Sequence, residues 1–153
     1  MRVLDSTLKN QILQEHQLDF GDFYFFDNYV VAEIYDGELF DWERAQIVID
    51  LATTFYGADA KINYISNRIY NYSIIPQDWI KFYKNRYQLK SFSVVTYSQS
   101  GLINMIFERM FCRAKIRQFE SLMDAVKHVY VLDQKLTINI LPENQGIQLP
   151  QAL

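Results

Sequence analysis

A mixed α/β fold is what the sequence predicts: antiparallel strands at the N-terminal end, then a β-α-β-α-β-α run whose helices pack on the sheet. Three observations predict it. Runs rich in Phe, Tyr, Val and Ile fill residues 15–35 with turn residues between them, helical apolar spacing begins just after Asp41, and from Lys61 onward short strand-like runs alternate with amphipathic stretches. Strand–helix–strand connections of this kind favour neighbouring parallel strands in a helix-covered sheet.

The first strands are expected at Glu15–Phe20, Phe23–Phe26 and Tyr29–Tyr35, separated by Gly21-Asp22 and Asp27-Asn28 and closed by Asp36-Gly37. Asp41 stands where a helix N-cap belongs, ahead of Ala45, Val48, Ile49, Ala52 and Phe55 or Tyr56, and Gly57 suits the C-cap, so a helix is expected over 41–56. Lys61–Ser66 reads as a strand and Asn67–Ile75 as a loop. Pro76 then opens a helix with Trp79, Phe82, Tyr83 and Tyr87 on one face and Lys81 and Lys84 off it. Ser91–Tyr97 is the next strand, with Ser98-Gln99-Ser100-Gly101 as its exit loop. In Leu102–Phe111 the apolar spacing of Ile103, Ile106, Phe107 and Met110 predicts a helix buried on that side. Ala114–Phe119 alternates, and Ser121-Leu122-Met123-Asp124, a capping box with Asp in place of Glu, starts a last helix carrying Leu122, Ala125, Val126 and Val129.

No repeat, low-complexity tract or linker divides the chain. Residues 1–14 are expected as an N-terminal extension, 15–131 as the domain and 132–153 as a C-terminal tail. In the tail Leu136, Ile138 and Ile140 alternate with polar residues, which suits an extra edge strand, a strand lent to a second subunit or a partly disordered end. Pro142, Asn144, Gly146 and Pro150 then break regular structure, and the end after Pro142 is expected to be the most mobile part.

The 153 residues amount to about one domain, and 11 Phe, 11 Tyr and 2 Trp against 5 Gly and 3 Pro argue for a packed globule whose rings fill the core or face a cavity or partner. The lone cysteine, Cys112, lies in the run Met110-Phe111-Cys112 and reads as a buried small hydrophobe. Net charge is -3, but unevenly spread: residues 1–59 carry 12 acids and 3 bases, residues 60–117 carry 10 bases and 2 acids, and residues 118–153 carry 4 acids and 2 bases. Either the basic segment meets an anionic partner or the two segments lie side by side and neutralise each other. Met1–Ser6 lacks a secretory apolar region, and no stretch approaches the roughly 20 apolar residues of a membrane span, so the cytoplasm is the expected compartment.

Catalytic devices are missing from the sequence. His16 and His128 are the only histidines, too few for a metal cluster, and there is no G-x-S-x-G elbow, Walker loop or G-x-G-x-x-G. No catalytic residue, metal or cofactor is expected. Glu33 with Asp36, and Asp41 with Glu43, read as solvated strand ends and favourable charge near a helix N-terminus. Lys81, Lys84, Arg86 and Lys90 interleave with aromatic residues, yet helical spacing separates rings from lysines, and with an acidic pI no nucleic-acid partner is expected. Two loops leave the C-terminal ends of the expected parallel strands, where open α/β sheets place ligands: Ser66-Asn67-Arg68, and the loop with Ser98 and Ser100. These five residues are the candidate ligand- or partner-binding positions.

The element order, the entry Tyr29-Val30-Val31-Ala32-Glu33-Ile34-Tyr35-Asp36-Gly37 into the first helix, and Ile116-Arg117-Gln118-Phe119 followed by a helix with Ala125 resemble the STAS superfamily, in particular its divergent SpoIIAA-like, anti-anti-sigma-factor-like bacterial members. The resemblance spans about residues 15–131. It implies a non-enzymatic regulatory domain that docks a protein partner through the edge and loops around Ser66–Tyr72. Signalling members carry a phosphorylated serine after the strand that follows the first helix. Here Tyr64-Ile65-Ser66-Asn67-Arg68-Ile69-Tyr70 lacks the family's Asp-Ser-Ser/Thr-Gly signature, and Ser66 alone carries over as a phosphorylation candidate. A homodimer through the tail is a further expectation. The alternative function is a carrier or sensor of a small apolar, lipid-like ligand, which the high aromatic content suits.

Overall fold

Close backbone approach at one glycine joins the first strands. A Cβ on Gly21 would stand 2.8 Å from the Glu33 carbonyl oxygen and 3.0 Å from the Ile34 Cα, closer than any side-chain carbon tolerates, so only glycine lets β2 (Gly21–Phe25) lie against β3 (Tyr29–Ile34). β1 (Gln14–Leu18) pairs antiparallel with β2, and β2 with β3, in the register Gly21↔Ile34 to Phe25↔Val30.

The computed structural model describes residues 1–140, with side chains described through residue 134. After β3 come a short β4 (Leu39–Phe40), α1 (Trp42–Tyr56), β5 (Ile62–Arg68), a short β6 (Ser73–Ile74), α2 (Asp78–Lys84), β7 (Leu89–Thr96), α3 (Gln99–Glu108), β8 (Ile116–Phe119) and α4 (Leu122–Ile140). The main sheet has the order β1-β2-β3-β5-β7-β8, antiparallel through β3 and parallel from β3 to β8. The expected mixed sheet is therefore present.

Caps account for the helix boundaries. Asp41 accepts from the Arg44 backbone N–H at 3.1 Å, the Asp78 carboxylate accepts from the Trp42 N–H at 2.7 Å, and Gly57 ends α1 at φ 107°, a backbone that L side chains rarely adopt. Ser98 caps α3 by accepting from Gly101 N–H.

Each face of the sheet has its own core. Val31, Ile65 and Val95 pack against Leu122, Ala125 and Val129 of α4, the helix face the sequence predicts. On the other face Phe23, Phe25, Val30 and Ala32 meet Val48 and Ala52 of α1, and Phe92 and Val94 meet Met105 of α3.

Several expectations need correction. The expected N-terminal extension, residues 1–14, sends Val3 and Leu8 into the α4-side core. Asn67–Ile75 is not one loop, because β5 continues to Arg68 and β6 pairs parallel with β4. β5 is interior, bonded on both sides to β3 and β7, so the stretch Ser66–Arg68 offers no sheet edge to a partner. Pro76 lies in the turn before α2, which starts at Asp78. Residues 136–140 continue α4 and form no strand to lend to a second subunit; Leu136 and Ile140 are four apart, a spacing that serves a helix as well as an alternation serves a strand. The expectation of mobility after Pro142 falls outside the described residues. The stripe Ile103, Ile106, Phe107 and Met110 is not buried but 51%, 51%, 50% and 71% exposed, because α3 turns Gly101, Met105 and Glu108 inward.

Candidate functional site

Successive side chains of a strand point to opposite faces. In β5 this sends Tyr64, Ser66 and Arg68 toward α1, α2 and α3, while Asn63, Ile65 and Asn67 face the α4 side. Between the first set and the helices lies a cavity of about 370 Å³. Its walls come from Ala45, Val48 and Ala52 of α1 and from Trp79 and Phe82 of α2, with Val30 and Phe92 on the sheet. Trp79 meets Phe92 in a tilted contact at 5.1 Å and Tyr64 stacks on Phe92 at 5.2 Å, so the aromatic wall is continuous. The size lies within the roughly 300–1,000 Å³ of small-molecule sites, and the mostly apolar lining with a few convergent polar groups is their usual composition.

Ser66, Arg68, Tyr72, Trp79 and Glu108 join in one polar cluster at the cavity floor. Arg68 donates from a terminal nitrogen to a Glu108 carboxylate oxygen, from Nε to Ser66 Oγ at 3.1 Å and from its other terminal nitrogen to the Gly101 carbonyl at 3.4 Å. The other Glu108 oxygen accepts from Trp79 Nε1 at 3.2 Å, and the Ser66 and Tyr72 hydroxyls are 3.1 Å apart. Burial works against the charge of Arg68, but Tyr72 and Glu108 outweigh it and hold the guanidinium's pKa above its ordinary value. Burial raises the Tyr64 and Tyr72 hydroxyls, so both phenols stay protonated. The cluster is thus a charge-balanced, hydrogen-bonded floor beneath an apolar chamber. It holds no nucleophile beside a base.

Of the predicted site residues, Ser66, Asn67 and Arg68 are 1%, 1% and 3% exposed and lie inside β5, not in an exit loop. Ser66 and Arg68 reach the cavity. Asn67 turns to the opposite face, where it donates to Glu33 at 2.7 Å and to the Met1 carbonyl at 2.9 Å and accepts from the Tyr97 hydroxyl at 2.9 Å. The surface hydroxyl expected of Ser66 as a phosphorylation candidate is instead enclosed between Tyr72 and Arg68. Ser98 and Ser100 are exposed at the start of α3, apart from the cavity lining, and Ser98 also donates to Asn71 at 3.2 Å.

Glu33 is no solvated strand end. It is buried, accepts from the Val3 backbone N–H at 3.0 Å, and burial raises its carboxyl pKa against the opposing pull of Val3 and Asn67. Cys112 is half-buried, 3.3 Å from the Tyr83 hydroxyl, and burial pushes its thiol up, away from reactive thiolate. Among the described residues no group of three or more His, Cys, Asp or Glu could hold a metal ion, and no helix is long and apolar enough to cross a membrane.

Sequence reasoning missed Tyr72, Trp79 Nε1 and Glu108. Glu108 and Asp78 are the only acids between residues 60 and 117, and Glu108 follows Gly101 and Met105 at helical spacing on the inward stripe of α3, the signal that could have marked it.

Fold and site together define an α/β domain with a mixed sheet and a partly open, mainly apolar chamber over a polar floor. No family model matches the chain, and no curated protein matches it. Among solved structures it is similar to an uncharacterised protein of the DUF3478 family from Shewanella loihica, described as having a SpoIIAA-like fold, at 10% identity and a TM-score of 0.48 over 76% of this chain and 90% of that one.

Proposed function

We propose that the protein is a non-catalytic binding domain, a carrier or sensor that holds a small, mainly apolar ligand in the chamber between α1, α2 and the sheet. The observation that carries this reading is the cavity of about 370 Å³, walled by aromatic and aliphatic side chains and floored by a hydrogen-bonded polar cluster without a reaction centre. Trp42 and Trp79, the chain's two tryptophans, both line it, so their emission reports on its contents. Titration with decanol should change the emission saturably, and native mass spectrometry should show a bound mass. An Ala45→Leu variant, which fills the chamber from α1, should keep its fold and lose both signals. No saturable change with decanol, or one that Ala45→Leu leaves intact, overturns the reading.

A second reading keeps the regulatory, protein-interaction role and moves the contact to α3. Ile103, Ile106, Phe107 and Met110 give α3 an apolar outer stripe, and the exposed Arg109 and Arg113 border its C-terminal end. A partner with an apolar face rimmed by acids suits that surface. Affinity purification from a native lysate should recover an acidic protein with the wild type and not with Phe107→Glu; equal recovery removes this reading.

A further inference from the structure

We infer that the chamber selects an uncharged amphiphile whose head group accepts hydrogen bonds, such as an alcohol or a carbonyl compound, and discriminates against the carboxylate of the same tail. The inference rests on the cavity-binding reading above and adds the chemistry of the head group.

Hydrogen-bond accounting at the floor supplies the argument. A guanidinium has five N–H donors. Four of Arg68's are engaged, by Ser66, the Gly101 carbonyl, Glu108 and the Tyr72 hydroxyl, which leaves one terminal hydrogen on a residue that lines the chamber. Ser66 Oγ and Tyr72 Oη share one bond at 3.1 Å. Ser66 also bonds the Tyr64 hydroxyl, so three hydroxyl protons serve two mutual bonds and one is left over. The floor therefore offers donors and asks for an acceptor.

Charge decides which acceptor. Glu108 already neutralises Arg68, with side-chain exposures of 6% and 2%. A ligand carboxylate would place a second anion against one buried cation, where an uncompensated charge is costly. The remaining charged lining adds Asp41, Asp59 and Asp78 against Lys61 and Arg86, so the whole wall carries four acids and three bases. A neutral hydroxyl or carbonyl oxygen takes the spare donors without that cost.

Decanol and decanoate share a tail and differ in head charge, so their dissociation constants at neutral pH, read from tryptophan emission, test the inference. Decanol should bind at least about tenfold more tightly. Glu108→Gln leaves the Arg68 charge uncompensated and should shift the ratio at least about tenfold toward decanoate. Decanoate binding as tightly as decanol to the wild type overturns the inference and leaves the cavity reading standing. An unchanged ratio in a folded Glu108→Gln protein also overturns it. Binding of neither compound removes the cavity reading and the inference together. The wild-type ratio needs no variant, so a poorly folding Glu108→Gln protein does not block the test.

Discussion

Arg68 and Glu108 lie 40 residues apart in the chain and meet as a hydrogen-bonded ion pair beneath the cavity, joining the end of β5 to the end of α3. Trp79 Nε1 on α2 bonds the same carboxylate, so one buried acid ties together three elements of the helix-covered face.

Removing one partner of such a pair strands a buried charge. Arg68→Met should destabilise the fold by about 3–5 kcal/mol, while Arg68→Met with Glu108→Leu should cost far less than the sum of the single changes. Urea unfolding of the four proteins in the cycle measures this. Additive losses would show that the pair acts as two independent contacts.

Glu33 makes stability depend on pH in a direction opposite to an ordinary salt-bridged acid. Its folded-state pKa is raised above the ordinary value of 4.5, chiefly by burial, so the folded state holds the proton more tightly than the unfolded chain. As pH rises from 4.5 through the folded pKa, this residue's contribution to stability falls, and it stays low above that point. Glu33→Gln keeps an acceptor for Val3 and Asn67 and does not titrate. Its stability relative to wild type should be greater at neutral pH than below pH 4.5, as thermal unfolding at both pH values would read; a difference independent of pH would contradict this.

Tyr56 bridges α1 to the turn between β2 and β3, its hydroxyl reaching the Phe26 and Tyr29 carbonyl oxygens. Tyr56→Phe keeps the ring against Phe25 and removes the donor, at an expected cost of about 1–2 kcal/mol. Chemical denaturation gives the number, and no loss would mean that water replaces the hydroxyl.

Two residues of α3 separate burial from hydrophobicity. Met105 is buried against β7 and Phe107 is half exposed, so Met105→Ala should cost about 2–5 kcal/mol and Phe107→Ala should fall within about 0.5 kcal/mol of wild type. Denaturant midpoints for the pair of variants test it. A large loss at Phe107 would place its ring in a contact not made among the described residues.

How much of this was legible in the sequence varies by residue. Asp41 and Gly57 bracket α1 because capping is local chemistry, readable from neighbours in the chain. Leu122, Ala125 and Val129 were placed correctly on the core side of α4 by spacing alone. The same spacing misled at α3: Ile103, Ile106, Phe107 and Met110 form an apolar stripe, but the sheet took the stripe of Gly101, Met105 and Glu108. Periodicity says that a helix has faces and leaves open which one meets the sheet. Ser66 and Arg68 looked like loop residues because polar side chains at a strand end are ordinarily solvated, and nothing near them in sequence announces Glu108.

From the sequence alone followed the order of the main-sheet strands and the four helices, the antiparallel start, the parallel continuation and the lack of recognisable catalytic motifs, since propensity, capping and periodicity act over a few residues. Tertiary structure decided that β5 runs on through Arg68 in the sheet interior, that Glu108 reaches Arg68, and that space remains between α1, α2 and the sheet. Those features depend on groups brought together across tens of residues and on volumes left unfilled by packing, neither of which a linear pattern contains.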